Sequence, residues 1–456
     1  MSGTAAPIAR VLPSTRVMDR GATDLPGKLC FFFLCLFTVA IYARPEDIFP
    51  SVGHFHLTLL LGLCASAAYM GAWLSGSIPL LNSRELRLMF LLTGWFMAGV
   101  PFAYWRGGSL QVLTQEWFKT LLVFFLLTQT LVSLRRIRTV LWAIVLSELA
   151  VTAYSVLNPS RSMWVGNRFS GVSEGILGWN FLGIAVALTI PFIAALFLAR
   201  SSLTKSLVLA AAVGAMMWML VLTASRSGMM SVAFSVLLTY ALILRRSALG
   251  NMVAVALVFA MVLAVCAAPG VFWERIQTIW SASAPSNAVS ASADASEEER
   301  SAVLVTSLRY TLEHPIFGLG LGNFSVARGT ETGVPSGWLG THNTFTQLSS
   351  EAGIPALLIF LVLLGSSIRN MWRIARTARI SEELPELDQM ARAALVSLAA
   401  FVFGAFFAHI GYQYFLYYPI AIAVGVQYLA STKEPAPAKE LRSCRGPAPH
   451  KRLKIT

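Results

Sequence analysis

Charge is what this chain has least of. Of its 456 residues, 12% are Asp, Glu, Lys or Arg, about half the share found in an ordinary soluble domain. That scarcity excludes a soluble globular enzyme. With 56% apolar residues the chain has too much surface to bury for a disordered segment. Five cysteines are too few and too scattered for a disulfide framework. Cys30, Cys35, Cys64 and Cys266 lie in apolar runs and Cys444 in the tail, so neither a disulfide nor a metal site is expected. The sequence has no Asp-x-Asp pair, which argues against a metal-bound nucleotide-sugar donor. A P-loop and an HExxH pair are also missing.

Long apolar runs are what is there, and mean hydropathy is +0.66. Runs of roughly 17–25 residues, the length that crosses a bilayer core, recur about twelve times. They cover 29–43, 56–75, 88–104, 117–133, 139–157, 179–199, 206–223, 229–244, 249–268, 353–369, 393–411 and 413–430. An all-α polytopic membrane protein is therefore predicted, with one large outer loop between spans nine and ten. The expected organisation is a cytoplasmic tail 1–28, spans over 29–268, the outer loop 269–352, spans over 353–430 and a basic cytoplasmic tail 431–456. Arg10, Arg16, Arg20 and Lys28 precede the first run, as in a signal peptide. No small-x-small site follows Tyr42-Ala43-Arg44-Pro45, so the run is read as an uncleaved span.

The formal charge of +13 comes from 35 Lys+Arg against 22 Asp+Glu. The map places Arg84, Arg87, Arg135, Arg136, Arg138, Arg200, Lys205, Arg245, Arg246, Arg369, Arg373, Arg376, Arg379 and Arg392 in short loops on the side of the N-terminus. Short segments on the other side hold only Arg44, Arg106, Lys119, Arg161, Arg168 and Arg226. The positive-inside rule makes the first side cytoplasmic. The partner of this charge is then anionic membrane lipid and not nucleic acid.

The outer loop opens with Pro269-Gly270 and passes through a low-complexity stretch, 281–295, with too little apolar surface to pack. Ser296-Glu297-Glu298-Glu299 reads as a capping box that starts a helix. That helix carries Leu304, Leu308 and Leu312 on one stripe and stops at His314-Pro315. A Gly-rich turn follows, Gly318-Leu-Gly-Leu-Gly-Asn323, and then a second short helix, about 343–352, with Phe345, Leu348 and Ala352 on one side. The glycines fit no dinucleotide fingerprint. A turn whose N–H groups face an anion is the unspecific alternative.

Charged groups among apolar spans are functional candidates. Arg226 sits in the hairpin Thr223-Ala-Ser-Arg-Ser-Gly228, where the positive-inside bias disfavours it. It is either a snorkelling arginine or a guanidinium whose planar fork meets an anionic ligand such as phosphate. His342 lies at the start of the second loop helix, where the dipole disfavours imidazolium and leaves a neutral base. The alternative is a surface histidine near a cap. His314 reads first as a helix stop. His409, beside Tyr412, Tyr414, Tyr417 and Tyr418, reads first as part of an aromatic belt. Arg309 is either an i,i+4 partner of Glu313 or a second phosphate clamp. Glu148, in mid-span, is either neutral and bonded to a neighbouring helix or part of a polar path.

Together these motifs resemble the O-antigen ligase superfamily of bacterial inner-membrane proteins. The matching residues are Ser225-Arg226-Ser227-Gly228 between two spans, Arg309 upstream of His314-Pro315-Ile316-Phe317-Gly318-Leu-Gly-Leu-Gly-Asn323-Phe324, and His342-Asn343 followed by Glu351-Ala352-Gly353. Arg168, in Asn167-Arg-Phe-Ser-Gly171, resembles a further arginine of the family's outer loops. Relatives often carry Pro-Asn at the next span, where this chain has Gly178-Trp179-Asn180.

The resemblance implies a membrane enzyme that moves a glycan from undecaprenyl pyrophosphate to an acceptor hydroxyl at the periplasmic face. Arg226, Arg309 and Arg168 would hold the pyrophosphate and His342 would be the base, with His314, Asn343 and Glu148 in support. No cofactor and no metal are implied, and the displacement would invert the anomeric centre. The acceptor would be lipid A core, a growing chain (as in polymerases) or a protein Ser/Thr. A transporter of about twelve spans is the reading from another class. Against it, no repeat of two six-span halves occurs and the longest loop is not central.

Overall fold

The computed structural model describes residues 25–433 apart from 54, 77–79, 159–162, 166–167, 172–178, 200–201, 269, 271, 274–287, 334–337 and 378–384. The tails 1–24 and 434–456, residues 281–287, Arg161, Gly178, Arg200 and Arg379 thus lie outside the described residues.

Helices run in the order α1 (Leu25–Ala43), α2 (Leu57–Leu74), α3 (Arg84–Gly99), α4 (Arg106–Thr130), α5 (Leu134–Leu157), α6 (Trp179–Leu198), α7 (Leu203–Thr223), α8 (Arg226–Leu242) and α9 (Ala248–Cys266). Then follow α10 (Ala288–Glu313), α11 (Phe324–Thr332), α12 (Thr344–Thr377), α13 (Pro385–Gly404) and α14 (Tyr414–Lys433). A two-stranded antiparallel hairpin, β1 (Met163–Val165) and β2 (Arg168–Gly171), joins α5 to α6. The chain is an all-α polytopic membrane protein, and each expected apolar run falls on a helix. Among the described residues, ten helices are long and apolar enough to cross a membrane. α3 is not one of them, being only 16 residues long with Arg84, Glu85 and Arg87 at its start, and α9 contributes a shorter apolar stretch, Ala248–Leu263.

Tight connections reverse the chain between α4 and α5, α7 and α8, and α8 and α9. Serine caps mark several restarts, with Ser83, Ser133, Ser225 and Ser247 each accepting from a backbone N–H three residues on. Contacts across the ends confirm the alternation. At one end Arg138 pairs with Glu386 at 3.0 Å and Arg246 with Asp388 at 3.6 Å. At the other, Tyr414 donates its hydroxyl to the Ile41 carbonyl at 2.9 Å and Tyr104 N–H bonds the Leu319 carbonyl at 2.7 Å. The second end carries the candidate residues.

α6 is the axis of the bundle, and nearly every side chain from Leu182 to Leu196 is buried. It packs on α8 backbone to backbone, since a Cβ on Gly183 would lie 2.2 Å from the Gly228 Cα. Ser235 of α8 and Ser397 of α13 donate to the Ala187 and Leu188 carbonyls at 2.6 and 2.9 Å. Small residues and hydroxyl cross-links are how helices associate where lipid removes the hydrophobic incentive.

α12 breaks at Gly353, whose φ of 84° leaves the helical region, and Pro355 follows. The Gly-rich turn repairs the break. Pro355 has no N–H to give, and the Glu351 carbonyl accepts instead from Gly320 at 2.8 Å. Leu319 N–H bonds the Ser350 carbonyl and Ile354 N–H turns to Pro315, both at 2.8 Å, while Trp95 Nε1 donates to Ala352 at 3.0 Å. The backbone thus stays satisfied across the break. Gly320 sits at φ 97°, and a Cβ there would be 2.4 Å from that of Ala103.

Two sequence expectations change, the start of α10 and the aromatic belt, and the leucine stripe is placed. The helix expected to start at the Ser296 capping box starts at Ala288, so the box is interior. The Leu304, Leu308 and Leu312 stripe is exposed, and Val303, Ser307, Tyr310 and Thr311 face the protein instead. The tyrosines near His409 point inward. Tyr412, Tyr417 and Tyr418 are buried, and their hydroxyls bond Glu351, Gly411 and Thr38. Tyr414 alone of these tyrosines is less than fully buried.

Candidate active site

His342 precedes α12 and has a left-handed φ of 50°, a conformation costly for a non-glycine residue. Asn343 fixes this corner by capping α12, its Oδ1 accepting from Phe345 at 2.9 Å and Thr346 at 3.1 Å. The His342 ring stands edge to face against His409, with centroids 5.4 Å apart. Phe181, in the first turn of α6, flanks His409 at 5.8 Å. The Nδ1 atoms of both histidines are shut off from solvent and have no hydrogen-bond partner.

Burial, then the charges of His409, Arg300 and Arg328, lower the pKa of His342 to about 4. Burial lowers that of His409 to about 4 as well. Both rings are therefore neutral at pH 7. Arg300 lies on the face of α10 that carries Val303 and Ser307, and Arg328 is buried on α11. The site is partly buried, basic and free of ring charge, and suits taking a proton beside an anion.

Arg226 opens α8 as its first residue after the Ser225 cap, half-buried at the positive end of the helix dipole. The Gly183–Gly228 contact sets it beside the first turns of α6, which also carry Phe181. Arg168 opens β2, and the hairpin packs where α5, α6 and α7 meet, with Phe169 buried beneath it. The structure thus gathers His342, Asn343, Arg226 and Arg168 at one end of the bundle.

Arg309 is differently placed. It holds Glu331 of α11 with two contacts, 2.8 and 2.6 Å, and Tyr310 donates to the same carboxylate. The Glu313 pair expected from sequence is looser, at 3.9 Å. Nine residues separate Arg309 from Arg300, about 180° round a helix, so the two face opposite ways. His314 is exposed at the end of α10. Glu148 lies deep between α5 and α6 and accepts from Thr189 at 3.1 Å, which matches bonding to a neighbouring helix.

Sequence reasoning missed Arg300 and Arg328, and set His409 aside as part of an aromatic belt. The spacing of Arg300 with Val303 and Ser307 is the one available signal, and the leucine stripe masked it. His409 carries none, because only the docking of the α13–α14 connection on His342 makes it notable.

A polytopic helical membrane protein with a neutral, partly buried histidine among arginines at one end of its bundle is the class that fold and site define. Residues 210–361 match the family model described as O-antigen ligase, which supports a member of the O-antigen ligase/polymerase superfamily, whose members are glycosyltransferase- or ligase-type membrane enzymes. The match takes in Arg226, Arg300, Arg309, His314, Arg328, His342 and Asn343, and leaves Arg168, Glu148 and His409 outside. No curated protein matches the chain.

Proposed function

We propose that the protein transfers a glycan from undecaprenyl pyrophosphate to an acceptor hydroxyl, with lipid A core as the acceptor, at the periplasmic face of the inner membrane. The observation that carries this reading is the neutral His342 faced by Arg300 and Arg328 at the end of the bundle that holds Arg226. As the acceptor oxygen attacks the anomeric carbon, its proton passes to His342 Nε2. The bond to the pyrophosphate oxygen breaks on the opposite face, which inverts the centre. Arg226, Arg168, Arg300 and Arg328 neutralise the departing charge. Arg309 acts by holding α11 to α10, which keeps Arg300 and Arg328 across from His342. The polyprenyl chain lies among the helices, which is why a reaction on sugars needs a membrane bundle.

Sidedness rests on the basic residues at the opposite end, which favour the cytoplasm. Metal independence rests on the donor set, since among the described residues no three His, Cys, Asp or Glu side chains gather as ligands. The test is transfer by purified protein from undecaprenyl-pyrophosphate-linked glycan, with lipid A core, glycan or a Ser/Thr protein offered as acceptor and excess EDTA present. Transfer to lipid A core is expected. Transfer to glycan or protein instead would make it a polymerase or a protein O-oligosaccharyltransferase. Activity lost in EDTA and restored by Mg²⁺ would defeat metal independence, and no turnover with any acceptor would defeat the enzyme reading.

A further inference from the structure

We infer that His409 is a positioning residue for His342: its neutral imidazole receives the Nδ1–H of His342 when Nε2 of that ring takes the acceptor's proton. The inference rests on the reading of His342 as the base. It adds a residue from the α13–α14 connection, beyond the segment that matches the family.

Three elements box His409 in. The edge-to-face contact with His342 has an interplanar angle of 76°. Phe181 closes a second side at 79°. Gly340 crosses the ring so closely that a Cβ there would lie 2.7 Å from its Cε1 and Nε2. The ring cannot swing away, and Gly340 ties the backbone leading to His342 to it. The Nδ1 atoms of both rings are left buried without partners. Buried polar atoms nearly always have one, so two orphans on rings in contact call for a reason. With the centroids 5.4 Å apart, a rotation of the His342 ring against the fixed His409 brings the two nitrogens within hydrogen-bond reach.

The chemistry explains why the partner is an imidazole. A histidine base needs an acceptor on its second nitrogen to hold its tautomer and steady the cation it becomes. A carboxylate does this in many enzymes. Among the described residues, the charged and titratable groups acting on His342 are His409, Arg300 of α10 and Arg328 of α11, with no carboxylate among them. Around His409 stand Phe181 of α6, the Gly340 backbone and His342. A carboxylate placed there would be drawn into pairing with the two arginines and would discharge the anion site. A neutral imidazole accepts the bond and leaves them for the pyrophosphate. The proton balance is simple. The acceptor's proton ends on Nε2 and later leaves to water, while the Nδ1 proton stays on His342.

The experiment measures kcat and both KM values for His342→Ala, His409→Phe, His409→Asn and the His342→Ala/His409→Phe double variant, with the donor and acceptor pair that supports turnover. His409→Phe keeps the packing and removes the nitrogens. It should lower kcat about tenfold or more, part of the 10²–10⁴-fold that a positioned base supplies, with both KM values held within about twofold. His409→Asn, whose amide oxygen accepts a bond, should recover part of the loss. The double variant should be no slower than His342→Ala alone, because the two act as a unit. Wild-type kcat in His409→Phe, or losses that multiply in the double variant, would overturn the inference and leave His342 as the base. Wild-type turnover in His342→Ala would sink both readings. Should His409→Phe fail to fold, His409→Met carries the same comparison with His409→Asn.

Discussion

Tyr412 donates its hydroxyl to Glu351 Oε2 at 2.9 Å and so ties the last inter-helix connection to the break in α12. The same carboxyl accepts from the backbone of Gly322 at 3.1 Å and of Phe324 at 3.3 Å. The group that the Gly-rich turn faces is thus a carboxyl of the protein itself. Glu351→Gln replaces an acceptor by a donor and leaves a buried N–H or O–H unpaired. A loss of about 1–3 kcal/mol is expected, read as a lower Tm in detergent, with turnover falling because the turn precedes α11 and Arg328. An unchanged Tm would mean that the carboxyl does not hold the turn.

Gly353 is the second point of dependence. Its φ of 84° suits glycine alone, and a Cβ there would lie 1.9 Å from the Ile316 carbonyl oxygen. Gly353→Ala is expected to cost about 2 kcal/mol or more, from strain plus a clash with backbone that cannot yield. Thermal denaturation of the purified variant measures it. A variant as stable as the parent would contradict the close docking of the turn on the break.

For Arg226 the effect should fall on donor binding and turnover together. Arg226→Ala is expected to lower kcat/KM by about 10²-fold, the usual loss for one charge-stabilising donor. Arg226→Lys should restore only part of it, since an ammonium lacks the bidentate fork. Arg309→Ala should weaken donor binding less, because its partner is Glu331. Equal effects on donor KM would return Arg309 to the pyrophosphate.

The pH dependence follows from the histidines. Both are neutral in the folded protein down to about pH 4. An unfolded histidine takes up its proton near pH 6.5. Between those values the unfolded state binds more protons, so stability should fall as pH drops from 6.5 towards 4. His409→Phe should lessen that fall, as melting curves across the range would reveal. The acid limb of kcat should lie above that of kcat/KM. Bound pyrophosphate offsets Arg300 and Arg328, two of the charges that hold His342 low, so its pKa rises in the complex. Coincident limbs would show that donor and base do not interact.

Topology can be read by labelling single cysteines from outside the cell, after removal of the native ones. Ser290→Cys should react and Glu440→Cys should not. The reverse pattern would invert the bundle and place the histidines in the cytoplasm.

Much of the fold was legible in the sequence, since hydrophobic runs of bilayer length depend on composition along one stretch of chain. α6 and α14 needed no partner to be recognised as spans. Boundaries failed where local signals competed: the Ser296 capping box is an interior turn because α10 continues back to Ala288. The leucine stripe does not mark the packed face, because in a membrane protein the apolar face need not be the inner one, and α10 turns Val303, Ser307 and Tyr310 inward.

Residue types and order along the chain therefore determined the class of protein, the run of spans and the candidacy of Arg226 and His342. Which arginines face His342 was decided by tertiary structure alone. Arg300 and Arg309 look alike in sequence, and a half-turn of helix phase sends one to the histidine and the other to Glu331. His409 and the Glu351–Tyr412 tie are likewise products of docking. They join residues 67 and 61 positions apart, and no local propensity encodes a contact that exists only once α12, α13 and α14 have packed.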